Sequence, residues 1–133
     1  MINLTLKKKI EQGAREVYLA FWKNYIGGNI DEMAKLMDED FNVIGSTEGE
    51  IFKNKKEVVK YYSDTADQIS WKIEFKNRNI ELIDFEQLVL VTEYSDLYIM
   101  LQKDWVFYSK VRLSSLLRET ENGWKFIQQH GSI

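Results

Sequence analysis

The spacing of apolar residues changes once along this chain, and that change dictates the order of its layers. From about Asn3 to Ile26, apolar side chains recur at Ile10, Ala14, Val17, Tyr18, Phe21, Trp22 and Tyr25. Steps of three and four predict one long amphipathic helix. Beyond Ala66 the step falls to two: Trp71, Ile73 and Phe75 alternate with Lys72, Glu74 and Lys76. That alternation predicts a half-buried strand. A chain that opens helical and closes extended is expected to lay helices on one side of a sheet.

The intervening elements follow from local chemistry. Gly27-Gly28 stops the first helix, and Asn29 with Glu32 has the spacing of a capping box. Ile30, Met33, Leu36 and Met37 give a short second helix, which the acidic run Asp38-Glu39-Asp40 ends because acidic side chains oppose the dipole there. Phe41 to Gly45 reads as a strand, Ser46 to Glu50 as a loop and Ile51-Phe52 as a brief strand. Asn54 and Glu57 repeat the capping spacing ahead of a third helix with Val58, Tyr61, Tyr62 and Ala66 inward. In the strand that follows, Asn77 to Asn79 predicts a bulge, with Ile80 and Leu82 resuming beyond it. Leu88 to Met100 and Trp105 to Thr120 are long β-rich runs, and Glu121-Asn122-Gly123 turns the chain into a last strand. The expected fold is α+β: three N-terminal helices packed on a strongly curved, mainly antiparallel sheet, a cone with an internal pocket, in a single domain over residues 1–133.

Composition removes several classes of function. A net charge of −3 offers no general attraction to nucleic acid or anionic lipid. The chain has no cysteine and one histidine, so disulfides, thiol chemistry and the usual nitrogen and sulfur metal sets are not expected. No apolar run is long enough to span a bilayer, and the Lys7-Lys8-Lys9 cluster leads into an amphipathic pattern, not a signal-peptide core. A cytoplasmic protein with no cofactor, no membrane and no nucleic-acid partner is the expectation. Aromatic residues make up 14% of the chain, enough for a pocket lining as well as a core.

Three stretches carry a family resemblance. They are Trp22…Tyr25-x-x-Gly28-x-x-x-x-Met33, Asp40-Phe41-x-Val43-Ile44-Gly45, and Gly123-Trp124…His130-x-Ser132. With the element order, they make the chain resemble the nuclear-transport-factor-2-like superfamily, and within it the SnoaL-like group. The last stretch is also similar to the closing strand of calcium/calmodulin-dependent kinase association domains. The resemblance implies a cone-shaped α+β fold shared by ketosteroid isomerases, polyketide cyclases, dehydratases, transport factors and assembly domains. It implies no single activity. In isomerase-like members a tyrosine of the first helix donates to a developing oxyanion, and Tyr18 is the matching position. The base carboxylate of those members would fall near Ile44 and Gly45. The arginine that kinase association domains carry nine residues before their tryptophan is Ser115 here.

Strand parity divides the candidate site residues. Odd positions of the run from Trp105, including Phe107, Ser109, Val111, Leu113 and Ser115, are the more apolar set and should face the helices. Ser109 and Ser115 are then either polar points in a cavity or small residues filling narrow gaps. Even positions, Tyr108, Lys110, Arg112 and Ser114, fall on the convex face, a dimer surface in the resembling families. A bulge in this strand would exchange the two sets. Tyr18 and Trp22 from the first helix, with Phe52, Tyr62 and Trp71, complete the apolar lining, and Gln129 adds a polar point on the last strand. His130 reads either as a general acid–base near neutral pH or as a hydrogen-bonded structural residue sharing a face with Trp124. Glu48 and Glu50 read as solvated loop residues near the pocket mouth. Three functions follow: a dimeric domain binding a small apolar or amphipathic molecule, an isomerase, cyclase or dehydratase using Tyr18 or His130, or an assembly domain with a filled core.

Overall fold

The structure, a computed structural model, describes residues 4–132. Its elements run α1 (Leu4–Gly27), α2 (Ile30–Ala34), β1 (Met37–Ile44), β2 (Ile51–Phe52), α3 (Lys55–Ile69), β3 (Ile73–Asp84), β4 (Leu88–Leu101), β5 (Asp104–Thr120) and β6 (Gly123–Ser132). Asn3, placed at the start of the first helix by sequence, lies outside the described residues. The six strands form one mixed sheet in the order β2-β1-β6-β5-β4-β3. Every pairing is antiparallel except that of β1 with β6. The expected α+β architecture, with N-terminal helices on a sheet, is the observed one.

Helix α1 ends in a Schellman motif. Gly28 takes a positive φ of 75°, Asn29 N–H donates to Asn24 O at 2.8 Å, and Gly28 N–H donates to Tyr25 O at 3.2 Å. At α3, the Asn54 side chain accepts from Glu57 N–H at 3.0 Å and caps the helix as its spacing predicts. The matching Asn29–Glu32 prediction is corrected: Asn29 makes no side-chain cap, and Glu32 pairs with Lys35 instead.

Helix α2 is also shorter than its apolar spacing suggests. It stops at Ala34, and Met37 already belongs to β1, buried opposite Phe126 of β6. The acidic run therefore lies inside a strand. Asp38 accepts from Asp40 N–H and pairs with Arg118, which removes the electrostatic reason to end an element there.

Irregularities in the ladders decide which residues face the helices. The predicted β3 bulge is present between Lys76 and Asn79, with Asn77 at φ 53°. In β5 the register jumps from Ser109 opposite Leu97 to Phe107 opposite Tyr98, leaving Tyr108 as the extra residue. In the β5–β6 ladder Leu116 faces Gln128 and Leu117 faces Phe126, so Ile127 is the extra residue. Each bulge exchanges inward and outward positions on either side of it. The β4–β5 turn uses Gln102 and Lys103 at φ 48° and 75°, the backbone signs of a two-residue type I′ turn. Gly123 at φ 98° lets the β5–β6 turn close, with Thr120 Oγ1 donating to its carbonyl at 2.7 Å.

The core lies between α1 and the central strands. Phe21 stacks on Phe126 at 4.0 Å between ring centroids, and Phe41 meets both rings edge-on near 6 Å. Tyr18 also stacks on Phe126, at 6.0 Å. All four are fully buried. Such ring pairs add about 0.5–1.5 kcal/mol each beyond their area burial.

Candidate functional site

Past this core, toward the ends of α1 and α3, the layers separate around a cavity of about 430 Å³. Its walls come from two helices, all six strands and the loop after β1. Trp22 and Tyr25 descend from the last turns of α1, and Tyr61 and Tyr62 from α3. Phe52 stands on β2, Phe75 on β3, Tyr108 on β5 and Gln129 on β6. The rings brace each other: Trp22 meets Tyr25 at 5.5 Å, Tyr25 meets Tyr62 at 5.1 Å, and Phe52 stacks on Tyr61 at 4.6 Å between centroids. Burial, before all else, holds the Tyr25 and Tyr62 phenols well above the ordinary tyrosine value, so they act here as neutral hydrogen-bonding groups.

One charged residue, Glu50, lines the cavity. It reaches the wall because Gly45 has no side chain: a Cβ built there would lie 2.6 Å from Glu50 Cβ and 2.8 Å from its Oε2. Gly45 N–H donates to Glu50 O at 2.7 Å, anchoring the end of the loop to β1. Glu50 Oε1 accepts from Thr47 N–H at 3.2 Å and from the Thr47 hydroxyl. Among the described residues its Oε2 meets only the Tyr61 hydroxyl, at 3.5 Å. The carboxylate that sequence assigned to a loop near the pocket mouth thus stands, half-buried, in the wall beside Ile44 and Gly45.

A second carboxylate lies on the same inner face but outside the lining. Glu93 is fully buried. Its Oε1 accepts from the Tyr18 hydroxyl at 2.6 Å and from Arg78 Nη2 at 2.9 Å, and its Oε2 accepts from Arg78 Nε at 2.6 Å. The β3 bulge brings Arg78 inward, where its guanidinium also lies 5.3 Å from the Phe75 ring centroid. Burial works against the Arg78 charge, but the hydrogen bonds and charge of Glu93 outweigh it and hold the guanidinium above its usual value. Burial first, then Glu93, pushes the Tyr18 phenol far up. Sequence reasoning missed this network. A signal for it was present, since Glu93 shares parity with Val89 and Val91 in a strand whose inward face is otherwise apolar or small.

Of the residues singled out by sequence, Trp22, Phe52, Tyr62, Val111, Leu113 and Gln129 line the cavity. Tyr18 and Ser115 face inward but lie behind its wall. Tyr18 is engaged by Glu93, and the Ser115 hydroxyl donates to Gln129 Oε1. Four placements are corrected. Trp71, at φ 59°, is 70% exposed and lies against Gly27 on the outside. The β5 bulge turns Phe107 outward against Tyr98, at 5.8 Å between centroids. Ser109 keeps the parity of Val111 opposite Leu97, but it is only half-buried and lies in a hollow with Asn77, Asn79 and Lys110, outside the cavity lining. The same bulge brings Tyr108 into the cavity wall instead of the convex face. Lys110, Arg112 and Ser114 are exposed on that face as parity predicts.

His130 is corrected too. The extra residue Ile127 breaks the parity it would share with Trp124: Trp124 and Phe126 point inward, then Gln129, while His130 is exposed opposite Ser114. It lies in a shallow hollow with Tyr94 and Arg112, on the other side of the sheet from the cavity. No group of three or more metal-ligating side chains occurs among the described residues. No helix among them is long and apolar enough to cross a membrane.

Comparison with known proteins places this geometry. No curated protein matches the chain in sequence. Among solved structures, a dehydratase candidate of the nuclear-transport-factor-2-like family from Streptomyces avermitilis superposes with a TM-score of 0.80 at 16% identity, over 94% of this chain and 96% of that one. A nuclear-transport-factor-2-like protein with a cystatin-like fold from Novosphingobium aromaticivorans gives 0.78 at 11% identity, over 100% and 91%. A candidate calcium/calmodulin-dependent protein kinase type II association domain from Thiobacillus denitrificans gives 0.72 at 13% identity, over 87% and 90%. At these identities the likeness is one of fold. The SnoaL-like domain profile matches residues 14–133, and on that match, over nearly the whole chain, the protein belongs to the SnoaL-like domain family.

Proposed function

We propose that this chain is a cofactor-free domain that binds a small apolar or amphipathic organic molecule in the cavity between α1, α3 and the sheet. One observation carries the reading: about 430 Å³ of space walled by seven aromatic rings, with its polar groups few and grouped on β6 and around Glu50. Ligand sites are typically concave, mostly apolar and supplied with a few convergent polar groups. A filled core, which the assembly reading expects, is not what this end of the molecule offers.

Acid–base catalysis would have to use Glu50. Glu93 is committed to Arg78 and Tyr18, and His130 is on the opposite face. The likeness to a dehydratase candidate keeps that alternative in view, but fold alone carries no activity. The same proposal includes a cytoplasmic homodimer formed through the convex face around Lys110, Arg112 and Ser114. In support, Trp105 and Phe107, which share a parity in the neighbouring stretch of β5, are exposed large apolar side chains.

Native mass spectrometry of freshly purified protein, repeated after denaturation, tests the reading. The expected result is a dimer carrying extra mass that denaturation releases. A protein that carries no adduct and takes up none from a mixture of small aromatic compounds would contradict it.

A further inference from the structure

The cavity wall has a charge asymmetry that narrows the class of ligand. Among the described residues Glu50 is its one carboxylic acid, and no lysine, arginine or histidine lines it. Four of its seven rings are tyrosines, and three of them, Tyr25, Tyr61 and Tyr62, cluster within 5.1–5.5 Å of a neighbour on the Glu50 side. Glu50 acts on these rings: after burial, its negative charge is among the causes that raise the Tyr25, Tyr61 and Tyr62 phenols.

The carboxylate itself is incompletely satisfied. A carboxylate offers about four lone-pair sites. Oε1 is occupied by Thr47, whereas the one contact of Oε2 among the described residues is a long one, to the hydroxyl of the wall residue Tyr61 at 3.5 Å. Arg78, the guanidinium that the β3 bulge brings inward, does not compensate it, because it is bound to Glu93 through both carboxylate oxygens. An uncompensated carboxylate beside electron-rich aromatic faces attracts an organic cation by charge-assisted hydrogen bonding and by the ring quadrupoles together. It repels an anion.

We infer that the ligand of this cavity is an organic amine or ammonium compound, its cationic head held between Glu50 and the faces of Tyr25, Tyr61 and Tyr62 and its apolar body against Trp22, Phe75 and Leu113. This inference rests on the small-molecule reading above and specifies its chemistry. Glu50 is the residue that sets charge selectivity, and Gly45 is the position that makes room for it.

A matched set of probes tests it: 4-phenylbutylamine, 4-phenylbutan-1-ol and 4-phenylbutyrate, with binding to the full chain measured by calorimetry at pH 7 and low salt. The amine is expected to bind about tenfold or more tighter than the alcohol, and the carboxylate most weakly. In Glu50→Gln the advantage of the amine should shrink to within about twofold while the alcohol keeps its affinity. An alcohol that binds as tightly as the amine, or a preference that survives Glu50→Gln, overturns the inference and leaves the cavity reading standing. Failure of all three probes removes both. Should Glu50→Gln not fold, as a thermal melt would reveal, the wild-type ratio of amine to alcohol still decides the question.

Discussion

Two carboxylates share the inner face of this domain and have opposite fates. Glu93 sits in the middle of β4, fully buried, with a guanidinium on both oxygens and a phenol on one. Glu50 sits at the open end, half-buried, with a threonine on one oxygen and little on the other. The first region is closed chemistry: its charges are matched, and its rings stack without a gap. The second has rings of the same type but a cavity between them and a carboxylate with no ion pair among the described residues. The lesson is that residue type does not mark a site. The degree to which a group's interactions are already satisfied does.

The largest effect should come from breaking the closed end. Glu93→Ala leaves the Arg78 guanidinium and the Tyr18 hydroxyl without their partner. Removing one member of a buried pair costs about 3–5 kcal/mol, to be read from urea denaturation. Arg78 is one-quarter exposed, which places the expectation at the lower end of that range. The double change Glu93→Leu with Arg78→Met should recover most of the loss, because apolar residues of similar volume replace such pairs at little cost. If the double variant were no more stable than Glu93→Ala, the network would matter for packing and not for charge.

Blocking the open end should abolish binding at modest cost to the fold. Leu113→Trp adds bulk to a wall that has space in front of it. Ligand affinity should fall more than about tenfold, with a stability change of about 1 kcal/mol or less. The same substitution in a filled core would cost about 1–3 kcal/mol. A large destabilisation with unchanged binding would reverse the assignment of the two regions.

Smaller effects sharpen the contrast. Tyr18→Phe removes one of three hydrogen bonds to Glu93 and should cost about 1.5–3 kcal/mol, without altering affinity for a cavity ligand. If Tyr18 were instead the oxyanion donor that family resemblance suggests, this variant would lose activity before it lost stability. Arg112→Glu, on the convex face, should change stability by about 0.5 kcal/mol or less and leave binding intact while weakening self-association, as measured by analytical ultracentrifugation.

Much of the architecture was legible because period alone distinguishes helix from strand. The long α1, the capped α3 and the β3 bulge all follow from spacing and turn residues. The site was less legible, for a reason that can be located. Parity assigns faces correctly only between bulges, and two bulges, at Tyr108 and Ile127, have no glycine or asparagine to announce them. They turned Phe107 and His130 outward and Tyr108 inward. Glu50 was placed near the pocket mouth by sequence, but its contact with the wall was not legible, because that contact depends on the missing side chain of Gly45, a residue that no periodicity links to it. Glu93 could have been found, as a charged residue in an inward-facing set.

The most direct test of the contrast between the two ends is an NMR titration of wild-type and Leu113→Trp proteins with 4-phenylbutylamine, following the aromatic and indole resonances. The account predicts saturable shifts in the wild type at Trp22, Tyr25, Tyr61 and Tyr62, no shifts at Phe21, Phe41 and Phe126, and loss of the response in the variant. Equal shifts in both proteins, or shifts confined to the convex face around Arg112 and His130, would contradict it.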